Sequence, residues 1–317
     1  MRLFLIVAIG VFVSACATGG GATRPQPEPE LRPVTLPDTF EFDLDSLHTG
    51  RTHRMYVSVP EGPAPVAGRP VLFLLDGGSH FASLDRLART LPRLSRGLGV
   101  AADAPIIVGL TYPGDGDAVN QARGEDYTPP ARELADTGDR YSKKQGGADR
   151  FLDFVKRELE PTLAERLPID RTRTALMGHS YGGLLVLHAL FTRPDAFHTF
   201  VAGSPSIWWN GRHVLNGLEP FRARFPDLKM KPRVLIAVGS LEQTPRKSAG
   251  ERGGAVVERR MVDNAREVAE ALSVRGDEHG LEVLFVEFPG EDHYSAWLPL
   301  MNRGLLFFVA PALLPGA

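Results

Sequence analysis

The alternation of apolar and polar residues divides the chain beyond position 38 into two amphipathic strands followed by a series of apolar ones. In residues 40–44 and 53–59 apolar side chains alternate with polar ones, which is typical of half-buried antiparallel strands. The later strands are short, uninterrupted apolar runs, and such runs indicate strands that are buried on both faces. These runs are 71–75, 106–110, 174–177, 199–201, 234–238 and 283–286.

Helical patterns separate most of these apolar runs. They include residues 149–163, 184–190 and 257–272. The alternation of strand and helix predicts a doubly wound, mostly parallel sheet with helices on both faces, and functional loops at the carboxyl ends of the strands. Residues 113–147 form a polar segment that is long for a connection, and we expect it to act as a partial lid.

The amino terminus carries a second pattern, that of a secretory signal. Arg2 precedes the apolar stretch 3–13, and the small residues Ser14 and Ala15 stand directly before Cys16. A cysteine in this place resembles the bacterial lipobox, so residues 1–16 are expected to be a lipoprotein signal peptide with Cys16 lipidated. The expected location is the cell envelope, anchored in a membrane and facing the periplasm. Simple secretion, with Cys16 incidental, is the alternative.

Composition indicates one domain after a tether. Residues 17–37 are rich in Gly, Thr, Pro and Glu and offer little apolar surface, so we expect a flexible tether before a folded domain at 38–317. A chain of 317 residues with 43% hydrophobic content can bury one sizeable α/β core. The net charge of -2 argues against nucleic acid as a partner. Because Cys16 is the only cysteine, an intrachain disulfide and a thiol nucleophile are excluded.

The segment 178–182 reads Gly-His-Ser-Tyr-Gly, which is G-x-S-x-G between a predicted strand and a predicted helix. Glycines lack a Cβ, so the backbone can bend sharply and the helix can pack close to the strand. Such a turn presents the serine side chain to a cleft. The pattern therefore predicts Ser180 as a catalytic nucleophile.

A serine hydroxyl needs a base, and His293 is the best placed of the nine histidines. It lies in the loop after the last predicted strand, which keeps the usual chain order of serine, acid and histidine. His179 adjoins the nucleophile, and His188 falls on a buried helix where a core histidine is more common. His80 lies upstream of the serine, and a base there would break the order.

For the acid we choose Glu242, which follows the predicted strand 234–238 and would orient the base. Asp263 is the main competitor, although it falls in a predicted helix where a charged residue usually belongs to a solvated face. Glu287 and Asp292 lie very close to His293 in the chain. A site that uses only the serine and the histidine stays open.

Two backbone N–H groups should stabilise the oxyanion of the tetrahedral intermediate. One is that of Tyr181, directly after the nucleophile. The other belongs to Gly77 or Gly78, in the loop after the first apolar strand. The Gly-Gly pair is also what an ordinary turn after a strand would contain.

Three residues are candidates for substrate binding. Trp208 and Trp209 can stack on an aromatic acyl group such as a catecholate or a phenylpropenoyl ester, although adjacent tryptophans also fill cores and at least one should be structural. Arg123 is suited to an anionic ligand or to an ion pair with Asp126. The histidines are scattered rather than spaced as ligands, so we expect no metal.

Taken together, these motifs resemble the putative esterase family of α/β-hydrolases, which includes esterase D and the enterochelin and salmochelin siderophore esterases. The resemblance extends over nearly the whole predicted domain. It rests on Gly-His-Ser-Tyr-Gly-Gly at 178–183, Phe-Leu-Leu-Asp-Gly at 73–77, Arg-Gly-Glu-Asp-Tyr-Thr-Pro at 123–129, Ser-Pro-Ser-Ile-Trp-Trp at 204–209, Val-Gly-Ser-Leu-Glu-Gln at 238–243 and Phe-Pro-Gly-Glu-Asp-His at 288–293.

This resemblance implies an α/β-hydrolase fold and a carboxylic ester hydrolase that needs no cofactor, with Ser180 and His293 as nucleophile and base. The expected partner is a small-molecule ester, first of all a siderophore ester. A carbohydrate-linked acetyl or feruloyl ester is the alternative substrate. Acyl transfer to an alcohol would use the same residues. A lipid-anchored binding module that has lost activity is the alternative from another class.

Overall fold

The computed structural model describes residues 30–100, 102–134, 137–245, 252–279 and 281–314, and the eight strands within these ranges join in one sheet. In chain order the strands are β1 Thr39–Asp45, β2 Thr52–Ser58, β3 Arg69–Leu74, β4 Ile106–Thr111, β5 Ile169–His179, β6 Thr199–Gly203, β7 Arg233–Gly239 and β8 Glu282–Phe288. Their order across the sheet is β1-β2-β4-β3-β5-β6-β7-β8. β2 pairs antiparallel with both β1 and β4, and all other pairs are parallel. The mostly parallel sheet that the alternating pattern predicts is confirmed.

Ten α-helices connect or flank the strands in the described ranges. They are α1 Gly77–Gly97, α2 Gly116–Asp126, α3 Ala148–Asp153, α4 Glu160–Ala164, α5 Tyr181–Thr192, α6 Trp209–Arg212, α7 Leu218–Arg224, α8 Arg252–Glu258, α9 Met261–His279 and α10 Trp297–Val309. A π-helical stretch, Phe154–Leu159, joins α3 to α4. Short 3-10 helices span Pro194–Ala196, His213–Gly217, Phe225–Asp227 and Pro311–Leu313.

The core lies in two layers, one on each face of the sheet. Val71 and Phe73 of β3 pack with buried residues of α3, α5 and α9, whereas Leu72 and Leu74 of the same strand pack with α1 and α10. Successive side chains of a strand point to opposite faces, so a strand covered by helices on both sides must be apolar at every position. This is why β3 appears in the sequence as an uninterrupted apolar run.

Two predicted elements differ from the observed ones. β8 is the edge strand of the sheet, and most of its residues are half-buried rather than buried. The predicted helix 257–272 is interrupted, because α8 ends at Glu258 and α9 begins at Met261. Between them Arg260 adopts a left-handed backbone with φ of 46°. A regular helix cannot continue through that conformation.

The polar segment 113–147 is not one continuous loop, because its first half contains a helix. This helix is α2, and residues 127–129 directly after it are buried. Tyr127 is fully enclosed and packs edge-on against Phe151. Residues 127–129 of the segment therefore belong to the folded core.

The described residues from 36 to 314 form one compact unit. The predicted signal peptide 1–16 with its lipidated Cys16, and most of the predicted tether 17–37, lie outside the described residues. Among the helices that are described, none has both the length and the apolarity that crossing a membrane requires.

Candidate active site

Ser180 stands at a sharp turn between β5 and α5. Its backbone has φ of 60° and ψ of -116°, a strained conformation for a residue with a side chain. The neighbouring glycines allow the turn, because a Cβ on Gly178 would lie 2.6 Å from the carbonyl carbon of Gly182. Hydrogen bonds hold the strained residue in place: Ser180 N–H donates to the carbonyl of Gly203 over 3.0 Å, and Ser206 N–H donates to the carbonyl of Ser180 over 3.1 Å.

Ser180, His293 and Glu242 form a continuous chain of contacts. His293 Nε2 lies 3.1 Å from Ser180 Oγ, and His293 Nδ1 lies 2.7 Å from Glu242 Oε2. The histidine is in the loop after β8 and the glutamate is in the loop after β7. Since the carboxylate can only accept, Nδ1 carries the proton, and Nε2 is left as an acceptor for the serine hydroxyl.

Glu242 is a buried charge with its acceptors filled. Its side chain is 0% exposed. Oε1 accepts from Ser204 Oγ over 2.5 Å and from Gly239 N–H over 2.7 Å, while Oε2 faces His293. A buried carboxylate is tolerated only when donors compensate it, and these donors also fix the direction of Oε2.

The competing acids are engaged elsewhere. Asp263 accepts from Gln243 Nε2 over 2.7 Å and also contacts Arg260. Glu287 accepts from Arg266 over 2.7 Å. Asp292 accepts two backbone N–H groups of its own loop, those of residues 294 and 295, each over 3.0 Å.

Ser204 and Ser206 are site residues that the sequence reasoning did not identify, although both belong to the Ser-Pro-Ser segment after β6. Ser204 supports Glu242, and Ser206 Oγ lies 3.4 Å from Ser180 Oγ. Both side chains are buried. The available signal was two hydroxyl residues at the carboxyl end of the strand beside the elbow strand, where side chains of this fold meet.

The candidate oxyanion donors Gly77, Gly78 and Tyr181 occupy the first turns of two helices. N–H groups in a first turn have no acceptor within their own helix, and neither α1 nor α5 receives a side-chain cap. The two helix starts are close together, because a Cβ on Gly182 would lie 3.7 Å from Asp76 Oδ2. Developing negative charge is favoured at such a place.

Gly77 and Gly78 differ in their surroundings. A Cβ on Gly77 would lie 2.5 Å from the carbonyl carbon of Gly109, so α1 can begin here only without a side chain. Gly78 is exposed, and a Cβ added to it would lie 3.0 Å from the hydroxyl of Thr111. Gly77 thus allows close packing of α1 against Gly109, whereas Gly78 leaves the backbone exposed.

Arg123 is held by Asp76 rather than by Asp126. Its guanidinium donates two hydrogen bonds to the Asp76 carboxylate, over 2.6 and 2.8 Å, and a third to the carbonyl of His179 over 3.3 Å. The expected pair with Asp126 is therefore wrong. Asp126 instead accepts from Tyr112 over 3.1 Å, and burial raises its pKa to about 7. Arg123 thereby ties α2 to both the loop before α1 and the elbow.

The two tryptophans have different roles. Trp209 is 0% exposed and its indole N–H donates to Gln145 Oε1 over 3.2 Å, so the expectation that it binds substrate is wrong. Trp208 is half-buried, with its ring centre 6.1 Å from that of Tyr181. The Arg259 guanidinium covers the Trp208 ring at 4.1 Å.

His179 and Trp297 pack behind the base. The His179 ring lies 4.6 Å from that of His293 and 5.3 Å from that of Trp297. Burial holds the pKa of His179 well below its usual value, and the neighbouring His293 lowers it further. A neutral His179 does not repel the positive charge that His293 acquires when it accepts a proton.

The remaining histidines named above lie outside this chain of contacts. His188 Nε2 lies 2.9 Å from an oxygen of Asp149, and His80 packs against Trp297 with ring centres 4.4 Å apart. Across the described part of the chain, no three histidine, cysteine, aspartate or glutamate side chains group in a way that could hold a metal ion.

A family model described as "putative esterase" matches residues 46–308. The chain belongs to this family. It is 36% identical to the ferri-bacillibactin esterase BesA of Bacillus subtilis strain 168, with 87% of this chain and 91% of that protein covered. It is 34% identical to the siderophore triacetylfusarinine C esterase of Aspergillus fumigatus, covering 87% of this chain and 94% of that protein.

Solved structures give the same result. The siderophore hydrolase EstB of Aspergillus nidulans superposes with a TM-score of 0.75 at 32% identity, with 90% of this chain and all of that chain covered. The α/β-hydrolase fold and membership of the esterase family, which the motifs led us to expect, are confirmed.

We expect Glu242→Gln to lower kcat about 10³- to 10⁴-fold, because an amide can donate to His293 and favour the wrong tautomer. Asp263→Asn is the matched control, and its kcat should stay close to that of the wild type. Steady-state hydrolysis of 4-nitrophenyl acetate measures both. If Glu242→Gln retained most of the wild-type kcat, a serine–histidine pair would suffice and the acid assignment would be wrong.

Proposed function

We propose that this esterase hydrolyses siderophore-type esters through an acyl-enzyme on Ser180. The observation that carries the proposal is the chain of contacts from Glu242 through His293 to Ser180 Oγ at the strained elbow. His293 contacts the other two residues, Glu242 through Nδ1 and Ser180 through Nε2. The carboxylate is buried and the serine is at the turn.

In the first half of the reaction His293 Nε2 accepts the hydroxyl proton of Ser180, and Oγ attacks the ester carbonyl. The oxyanion that forms accepts hydrogen bonds from the backbone N–H of Tyr181 and from that of Gly77 or Gly78. Glu242 stabilises the imidazolium at Nδ1. The intermediate collapses when His293 gives its proton to the leaving alcohol, and the acyl group stays on Ser180.

In the second half, water takes the place of the alcohol. His293 accepts a proton from this water, and the hydroxide attacks the acyl carbonyl through the same oxyanion contacts. Collapse of the second intermediate returns the proton to Ser180 Oγ and releases the acid. The residues named here therefore complete the cycle without a further protein group.

The substrate class is supported by the relatives. Two of them are named for ester hydrolysis of ferri-bacillibactin and of triacetylfusarinine C, and the solved structure is that of a siderophore hydrolase. The similarity covers most of this chain and of each relative. Aromatic and cationic groups also follow the nucleophile: the ring of Tyr181, the residue after Ser180, lies 6.1 Å from that of Trp208, and Arg259 covers the Trp208 ring.

We also propose that the protein is a lipoprotein of the cell envelope, anchored through Cys16. The order of Arg2, the apolar stretch 3–13, and Ser14-Ala15-Cys16 supports this. Cys16→Ser should move the protein from the membrane to the soluble fraction of the cells that produce it. A Cys16→Ser variant that stays in the membrane fraction to the same extent as the wild type would contradict the anchor.

The proposed activity is tested with three ester classes: short 4-nitrophenyl esters, a feruloyl ester and a catecholate trilactone. We expect the highest kcat/KM for the trilactone, and a loss of at least about 10³-fold on every ester in Ser180→Ala. Ser206→Ala, which removes the neighbouring hydroxyl, should keep turnover that depends on Ser180. Preference for the feruloyl ester would favour a carbohydrate-linked substrate instead. Binding of the trilactone without turnover would favour a binding module and contradict the proposal.

A further inference from the structure

Cations and aromatic rings alternate along one wall that includes Tyr181, the residue after the nucleophile. The Arg123 guanidinium lies 5.7 Å from the ring centre of Tyr181, and that ring lies 6.1 Å from the ring of Trp208. Arg259 then covers the Trp208 ring at 4.1 Å. Tyr181 directly follows Ser180 and is a candidate oxyanion donor, so the wall starts at a residue of the candidate site.

The two arginines of this wall differ in how their charge is balanced. Arg123 forms a two-fold hydrogen-bonded pair with Asp76. For Arg259, no ion pair with a carboxylate is found among the described residues, whereas the adjacent Arg260 contacts Asp263 at 3.3 Å and Glu267 at 2.8 Å. Arg259 is also exposed. Its charge and its N–H donors are therefore available to a ligand.

The break between α8 and α9 puts Arg259 in this position. Its N–H donates to the carbonyl of Ala255 over 3.1 Å, and its carbonyl accepts from Asn264 Nδ2 over 3.0 Å. The backbone is thus fixed at the point where the chain turns into the left-handed Arg260. Stacking on Trp208 orders the guanidinium plane without using its hydrogen-bond donors.

Besides Asp76, Asp139 is an acidic group close to this wall, and its oxygens are already occupied. Oδ1 accepts from the N–H groups of Tyr141 and Ser142, over 2.8 and 3.2 Å, and Oδ2 accepts from Gln145 Nε2 over 3.2 Å. The Asp139 carboxylate also acts electrostatically on the Tyr181 hydroxyl. Burial and then Asp139 raise the pKa of this tyrosine, while the charges of Arg259 and Arg123 oppose the rise.

We propose that Arg259, held in place by Trp208, binds paired anionic oxygens of the substrate, such as those of a carboxylate or a catecholate, and so selects anionic esters over neutral ones. The planar guanidinium offers two parallel N–H groups to such a pair of oxygens. Trp208 is a positioning residue, since its ring face is covered by Arg259. This inference rests on the proposed function and names a property of the substrate at the same site.

The test compares two esters of equal shape, 4-nitrophenyl 4-carboxybenzoate and its neutral isostere 4-nitrophenyl 4-carbamoylbenzoate. The measured quantity is the ratio of kcat/KM for the anionic ester to that for the neutral ester. Comparing this ratio between variants cancels the intrinsic reactivity of each ester. We expect Arg259→Gln to lower the ratio about threefold to tenfold, a range that allows for solvent screening of an exposed charge. Arg260→Gln, whose charge is already paired, should leave the ratio as in the wild type.

Two further measurements keep the inference testable if a variant folds poorly. In the wild type the ratio should fall as salt rises from about 0.1 to about 1 M, because the Debye length shrinks from about 10 to about 3 Å. Trp208→Ala should lower the ratio although Arg259 is retained, and Trp208→Phe should restore part of it, since a smaller ring can still be stacked upon.

The experiment distinguishes failure of the proposed anion selectivity from failure of the proposed esterase activity. A ratio that is the same in Arg259→Gln as in the wild type, and that does not respond to salt, would overturn the inference. Turnover of the neutral ester that Ser180→Ala abolishes would leave the proposed esterase mechanism standing in that case. Absence of turnover on both esters by a folded wild-type protein would overturn both.

Discussion

The buried carboxylate of Glu242 is the interaction on which the arrangement of the site depends. An isolated charge in such a place is very costly, so the donors around it must be present together. Ser204 comes from the end of β6, Gly239 from the end of β7 and His293 from the loop after β8. The hydrogen bonds to this one carboxylate therefore bring residues from the ends of three strands together, and they orient the His293 imidazole toward Ser180.

Strain at Ser180 is the second constraint. A residue with a side chain is held at positive φ because residues 174–178 of the strand before it and 182–191 of the helix after it are buried. The turn places the Tyr181 N–H at the start of α5, close to the start of α1. The same geometry thus exposes the hydroxyl and leaves two sets of backbone N–H groups without partners in their own helices.

Much of this could be predicted from the sequence, because parallel strands have a simple signature. Strands covered on both faces are apolar throughout, as in β3, and the carboxyl ends of neighbouring parallel strands meet at one edge. That rule alone puts loops bearing Ser180, Glu242 and His293 at the same edge. β8 departed from the rule because a strand at the end of a sheet has one neighbour and less cover.

Other features have no local signature. Nothing in the composition of residues 257–272 marks the left-handed Arg260, so the break that positions Arg259 appears only when α9 packs in place. Trp208 and Trp209 are adjacent and of the same type. Their different environments, beside Tyr181 and Arg259 for Trp208 and in the core for Trp209, depend on the direction in which each side chain points. The pairing of Arg123 with Asp76, 47 positions away, required the tertiary fold.

The central claim is that Ser180 carries the acyl group during turnover. Rapid acid quench during hydrolysis of a 4-nitrophenyl ester, followed by proteolysis and mass spectrometry, measures where that group resides. We expect the acyl mass on the peptide that contains Ser180, at a level that rises within the first turnover, and we expect no such mass in Ser180→Ala. Acylation of Ser206, whose hydroxyl lies 3.4 Å away, or turnover with no acylated peptide at any time, would contradict it.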